Sequence, residues 1–378
     1  MDDSLACGVD LKKTPLHFDH LAKSARMAEF AGYDMPISYD QITGGMKAEH
    51  LLVRENAGMF DVSHMGEFWI EGSDATKFLN HACTRSFDKL SEGKAQYCLL
   101  LSESGAILDD IIVYKFNSEK YWMVVNASNL QKDFNHLKKL STGYKNLALR
   151  DVSETTALIA LQGPQAENLM NSLGFQVREL KYYHFITTDK NWIIGRTGYT
   201  GEDGFEIFLP PSEAPDLWRA LEQKSVLPIG LGARDSLRLE VGFPLYGHEL
   251  GEDLLAHETL SAFAIGADHN CLGSRSFEKP PRYIPGGFTG VTPKPLRAGE
   301  KVFLNDIEVG WLSSGSYSPQ RKQGIGLGFL KLEKLPKKPL EELIFMLESG
   351  PKRREVKWEL PPFVETRRAK KRSLKKAS

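Results

Sequence analysis

Ala106-Ile-Leu-Asp-Asp-Ile-Ile-Val-Tyr114 sets two carboxylates side by side in an apolar, β-branched run. Gly105 precedes it, so the segment reads as a strand leaving a turn. Adjacent strand residues face opposite ways. Asp109 is therefore expected to share a face with Ile107, Ile111 and Val113, and Asp110 with Leu108, Ile112 and Tyr114. A carboxylate flanked by apolar side chains costs free energy unless something pairs with it. Two explanations stand open on the strand alone: a turn or edge aspartate bonded to backbone N–H groups, or a carboxylate aimed into a ligand pocket.

Outward from this strand the chain reads as mixed helix and strand. Val62 to Ile70, Tyr97 to Leu101, Ile107 to Phe116 and Tyr121 to Val125 suggest strands, with helices over 73–81 and 130–140. A second series repeats the theme. Strands fall at Thr156 to Leu161, Trp192 to Arg196 and Gly204 to Leu209, with helices at Gln165 to Leu173 and Ala214 to Glu222. Two similar sets predict a pseudo-duplicated α+β domain, although no repeat is visible in the letters. Pro280, Pro281, Pro285, Gly286 and Gly287 predict a linker or turn cluster. Short β-like pieces follow at 287–291, 300–303, 309–312, 324–330 and 355–359, which suits a small barrel or sandwich. The basic end from Arg367 to Ser378 reads as a solvated tail.

Bulk properties exclude several classes. The 378 residues allow two or three domains, each with its own core. A net charge of −1 gives no general argument for nucleic-acid binding. No apolar run approaches a membrane span. The acidic start, Met1 to Asp10, lacks the features of a signal or transit peptide, so a cytoplasmic protein is expected. Cys7, Cys83, Cys98 and Cys271 form no CxxC pair and fit reduced structural thiols. GxSxG, HExxH and P-loop motifs are absent, which weakens hydrolase, metalloprotease and NTPase readings.

Three further segments combine glycines with charged or aromatic residues. In Ala57 to Glu67, Asp61 and His64 lie close, but no nucleophile or metal spacing accompanies them, which favours a structural His64. In Arg196 to Glu206, Gly198, Gly201 and Gly204 predict a tight loop where backbone approaches a ligand. There Tyr199 offers a ring face, and Glu206 can accept two N–H bonds from a planar nitrogen heterocycle; the simpler alternative is a hairpin in which Arg196 pairs with a local acid. In Gly230 to Glu240, Arg234, Asp235, Arg238 and Glu240 suggest a solvated salt-bridge face, with apolar neighbours that would let Arg234 reach a cleft instead.

Together these segments resemble the aminomethyltransferase family, the T-proteins of the glycine cleavage system. The resemblance also runs through Thr14-Pro-Leu16, Phe30 to Pro36, Gly58 to Gly66, Leu161-Gln-Gly-Pro164 and Ser313 to Pro319, covering about residues 14–330 in order. Leu255 to Glu258 and Gly273 to Arg275 depart from the family pattern, as does the basic tail. The resemblance implies an α+β fold. A folate-binding region of two related α/β subdomains (14–270) would precede a small C-terminal β-barrel (284–365) and a disordered tail (366–378). It implies transfer of the one-carbon unit of an aminomethyl group on lipoylated H-protein to tetrahydrofolate, giving 5,10-methylenetetrahydrofolate, ammonia and dihydrolipoyl H-protein. Asp110 would be the essential aspartate and Arg234 the active-site arginine. Tyr97, Tyr114, Tyr182 and Tyr199 would line the folate slot, Glu206 would grip the pterin edge, and Asn126 would add a polar contact. No metal, membrane or nucleic-acid partner is expected, and a monomer is. A folate-dependent demethylase of a small amine or sulfonium, a non-catalytic folate-binding module and an iron–sulfur maintenance relative are the alternatives. The last would carry a Lys-Gly-Cys-Tyr-type motif, which the chain lacks.

Overall fold

The computed structural model describes residues 10–267, 270–350 and 352–369. The strand with the two aspartates runs Ile107–Asn117. It lies second in a five-stranded sheet ordered Lys94–Leu101, Ile107–Asn117, Lys120–Val125, Gly66–Glu71 and Ala148–Asp151. A six-stranded sheet is ordered Phe185–Thr187, Ile193–Gly195, Gly204–Leu209, Ala157–Gln162, Gly58–Asp61 and Leu227–Pro228. Both sheets arise from one connectivity: strand, helix, three strands, helix, strand. Their spatial orders also match, apart from Gly58–Asp61, which inserts into the second sheet. The duplication is thus a property of topology rather than of residue identity.

Each sheet buries both faces. Ala157, Ile159 and Leu161 pack toward helices Ala166–Ser172 and Ala214–Gln223, around Trp218. Leu158 and Ala160 point the other way, into a layer shared with Tyr114 and Trp122 of the first sheet. Ile111 and Val113 pack toward helices Ala75–Ala82 and Leu130–Ser141. The architecture is helices, sheet, sheet, helices, which satisfies the apolar residues on both sides of each strand.

Two local expectations are corrected. Leu100 pairs with Asp109, but Leu101 pairs with Ile107, so Leu108 is an extra residue. This bulge breaks the alternation. Leu108 joins Ile111 and Val113 in one core, while Ile107 joins Leu99 and Leu101 in another. Ile107 and Leu108 therefore face opposite to what strict alternation predicts, while Ile112 and Tyr114 do share the Asp110 side. Val62 to Ile70 is not one strand either. The chain ends one strand at Asp61, turns through 62–65, and starts another at Gly66 in the other sheet.

The C-terminal part is a closed barrel of Tyr283–Gly290, Gln323–Lys331, Ile307–Ser318, Lys301–Leu304, Phe345–Ser349 and Lys352–Glu359. Pro285, Gly286 and Gly287, expected in a linker, lie inside its first strand. Their small size has a packing cause. A Cβ at Gly286 would stand 2.3 Å from the Trp358 ring, and one at Gly287 would stand 2.5 Å from Phe363.

Helix Leu231–Val241 clamps the barrel to the sheets. Its Arg238 is 1% exposed and donates to Asp235 (2.8 Å), Glu249 (2.8 Å) and barrel residue Ser314 (2.8 Å). Glu240, fully buried, accepts from Arg54 (3.0 Å) and from barrel residue Ser318, with His50 at 2.9 Å. The solvated-face reading fails for these two residues. Asp235 and the partly buried Arg234 keep some exposure.

Candidate active site

Between the two sheets and the barrel lies a cavity of about 1250 Å³. Ordinary small-molecule sites occupy roughly 300–1,000 Å³, so this one lies above that range. The first sheet contributes Asp110, Ile112 and Tyr114, the second sheet contributes Glu206, and the barrel side contributes Trp358 and the turn after it.

Asp110 is held from two sides. Tyr97 donates its hydroxyl proton to Oδ2 (3.1 Å), and Asn126 Nδ2 lies 2.9 Å from Oδ1. Ser261 Oγ, 2.8 Å from the Tyr97 hydroxyl, supplies the proton on that side, because a phenol has only one to give. Burial pushes the Asp110 carboxyl up to about 7, and the neighbouring Asp109 charge adds to the rise. Asp109 itself is fully buried on the opposite face, where it accepts from the Asn126 backbone N–H (2.9 Å) and from Asn129 (2.6 Å).

Glu206 accepts a hydrogen bond from Thr197 Oγ1. Thr197 has one hydroxyl proton, so Tyr114 must donate its own to Thr197 (3.0 Å). Burial raises the Glu206 carboxyl above its ordinary range, while Thr197 and the Arg234 charge pull it back. The Arg234 guanidinium lies 4.8 Å over the Tyr199 ring, and its Nη1 is buried with no hydrogen-bond partner among the described residues. The Tyr199 hydroxyl donates to the Pro244 carbonyl. His64, 3% exposed, lines the cavity edge-on to Phe30 (5.5 Å). Burial lowers its pKa to about 4, so the ring is neutral at pH 7. Asp61 is taken by His20 instead (2.9 Å). No group of three His, Cys, Asp or Glu side chains able to hold a metal occurs among the described residues.

Residues 16–269 match the family described as GCVT N-terminal domain, and residues 287–364 match the glycine cleavage T-protein C-terminal barrel domain. The chain belongs to the glycine cleavage T-protein family. An aminomethyltransferase of Thermus thermophilus is 43% identical over 328 residues, spanning 85% of this chain and 92% of that one. One from Aquifex aeolicus is 42% identical over 324 residues, spanning 85% and 88%. The crystal structure of glycine cleavage system aminomethyltransferase T from Bartonella henselae aligns with a TM-score of 0.89 at 33% identity, covering 95% of this chain and all of that one. The activity is that of a glycine cleavage system aminomethyltransferase, and these relatives disfavour the demethylase and non-catalytic alternatives.

In this T-protein family member, Tyr97, Asp110, Tyr114, Asn126, Tyr199, Glu206 and Arg234 meet at one cavity. Tyr182 does not. Its neighbour Tyr183 lines the wall, turned there by a positive φ of 59°. Tyr182 packs edge-on to Tyr183 (4.9 Å) and under the Arg368 guanidinium (4.8 Å). The resemblance names Tyr182, whereas the cavity wall carries Tyr183.

The glycines of the 196–206 loop serve the protein before any ligand. A Cβ at Gly198 or Gly204 would stand 2.0 or 2.4 Å from the Gln162 side chain. Arg196 does pair with local acids, Asp203 and Glu167. The expected disorder from residue 366 is also corrected. Arg368 pairs with Asp203, Ala369 is buried, and both line the cavity. Residues 370–378 of that tail lie outside the described residues. Phe243 and Phe263 complete the aromatic lining. Neither stood out in the sequence, because isolated phenylalanines carry no motif.

Proposed function

We propose that this enzyme transfers the one-carbon unit of an aminomethyl group, carried on the lipoyl arm of H-protein, to tetrahydrofolate. The products are 5,10-methylenetetrahydrofolate, ammonia and dihydrolipoyl H-protein. The observation that carries this is a carboxylate, Asp110, presented into an aromatic cavity that also offers Glu206 and an unpaired Arg234 donor. Tetrahydrofolate, when bound, supplies two nucleophilic nitrogens. The reaction breaks the carbon–sulfur bond and the carbon–ammonia bond and forms two carbon–nitrogen bonds. The protons from the two nitrogens leave on sulfur and ammonia.

Asp110 opposes the positive charge that builds on the one-carbon unit as its bonds to sulfur and nitrogen loosen. Tyr97 and Asn126 hold its two oxygens in place. Glu206 fits the N–H edge of a pterin as an acceptor, and the free Arg234 N–H fits a pterin or substrate oxygen. Tyr114, Tyr183 and Tyr199 supply the walls. The volume lies above the usual range for one small ligand, which fits entry of a second, tethered reactant. We further infer action in the cytoplasm as a monomer. Balanced charge favours neither nucleic acid nor anionic membrane as a partner. Among the described residues no helix is long and apolar enough to cross a membrane.

Two measurements test this function directly. Ammonia release should depend on aminomethylated lipoyl protein and on tetrahydrofolate together. Reduced folate at 100 times its dissociation constant should add about 2.7 kcal/mol of stability. A folded sample showing neither would defeat the proposal. Glu206→Gln should weaken folate binding by about 1.5–3 kcal/mol with little change in the melting temperature. Unchanged affinity by calorimetry would return Glu206 to a structural role.

Because Asp110 is raised to about 7, kcat/KM for the lipoyl donor should fall on the acid side with a midpoint near neutrality. The sign follows from charge. Protonated Asp110 is neutral and cannot oppose a cation, so activity is lost as pH drops. A flat profile between pH 6 and 8 would contradict this role.

A further inference from the structure

We propose that Asp133 is a positioning residue for the reaction: a proton on its carboxyl, donated to Asp109, keeps Asp109 the anion that orients Asn126 against Asp110. The inference rests on the proposed role of Asp110 as a carboxylate.

Asp133 lies in the first turn of helix Leu130–Ser141. Acids there commonly face water and complement the helix dipole. This one is fully buried. No donor N–H among the described residues reaches either of its carboxyl oxygens. The group in hydrogen-bond contact with it is Asp109. Two carboxylates cannot bond without a proton between them. The other contacts say which holds it. Asp109 already receives the Asn126 backbone N–H (2.9 Å), Asn126 Nδ2 (2.8 Å) and Asn129 Nδ2 (2.6 Å). These donors favour the anion on Asp109. Asp133 has none of them, so the proton belongs to Asp133.

The effect reaches Asp110 by two routes. Asn126 Nδ2 bridges Asp109 Oδ1 (2.8 Å) and Asp110 Oδ1 (2.9 Å), so the Asp109 anion fixes which way that amide points. The Asp109 charge also raises the affinity of Asp110 for a proton. Other charged or titratable groups face this cluster. Lys132 lies beside Asp133, but its ammonium is bonded to Tyr246 (2.7 Å) and Glu252 (3.4 Å). Tyr246 faces Asp109, and Tyr97, Tyr183 and Tyr199 face Asp110.

The test is the pH dependence of kcat/KM, measured by ammonia release with the full chain, aminomethylated lipoyl protein and tetrahydrofolate. Asp133→Leu removes the donor, so Asp109 holds a proton more readily and its charge beside Asp110 is weakened. The acid midpoint should then fall by about one pH unit. Asp109→Asn removes the same charge and should move the midpoint the same way. If Asp133→Leu does not fold, infrared spectra at pH 9 decide: the band of a buried protonated carboxyl, present in the wild type, should be absent in Asp133→Asn, and its persistence there overturns the inference. Asp133→Asn restores an N–H donor and should return the midpoint to the wild-type position. A merely structural Asp133 would change melting temperature and leave the midpoint alone. Wild-type midpoints in folded Asp133→Leu and Asp109→Asn overturn the inference, and so does a shift in Asp133→Asn as large as in Asp133→Leu. Asp110→Asn separates the two levels. If it stays active, the carboxylate role falls and the inference with it. If it is dead while the midpoints do not move, only the inference about Asp133 falls.

Discussion

Asp110→Asn is expected to lower turnover by about 10²–10³ while the protein still folds. The substitution keeps the shape and can still meet Tyr97, but it removes the charge that faces the cavity. It also places an amide beside the Asn126 amide, where a carboxylate oxygen stood 2.9 Å away. Asp109→Asn should lose less turnover at pH 8. That side chain points into the helix-covered layer, toward Asn129 and Asp133, and cannot touch a reactant. Steady-state ammonia release read beside thermal melts distinguishes the pair. An inactive Asp109→Asn with an active Asp110→Asn would reverse the assignment of faces on the strand.

Arg238→Met should destabilise the protein by about 3–5 kcal/mol. Methionine fills most of the space, so the loss is electrostatic. Glu249, 2% exposed, would lose its counter-charge, and the Ser314 contact to the barrel would go as well. Arg234 rides one turn earlier on the same helix, so the change should also weaken folate binding. Urea unfolding gives the answer through the shift in midpoint at constant slope. A loss below about 1 kcal/mol would show the pair to be worth no more than a surface one.

The parts of the fold that could be read in advance were those with strong local periodicity. The periodicity predicts Gly204–Leu209 to the residue, and most other strands and helices within a few. The failures have definite physical causes. The bulge at Leu108 is set by cross-strand pairing, which no single strand encodes. Pro285 to Gly287 resemble a linker, but the small residues are there because Trp358 and Phe363 lie across them. Arg238 and Glu240 resemble a wet helix face, and only the barrel packed over them makes them buried. At the site, every residue that the motif resemblance names except Tyr182 lines the cavity. Asp133 left no trace, because an acid in a helix's first turn is expected there for reasons of its own.

The matched connectivity of the two sheets has a consequence for the origin of selectivity. Asp110 comes from the second strand of its sheet and Glu206 from the third of the other, so the two carboxylates are not symmetry mates. A pair of identical halves would wall the space between them with the same groups twice. It could not tell a donor from an acceptor. Joining the halves in one polypeptide lets each wall carry its own groups: Asp110 stands on one and Glu206 on the other. The cavity thereby acquires a direction: anything entering it meets unlike surfaces on its two sides.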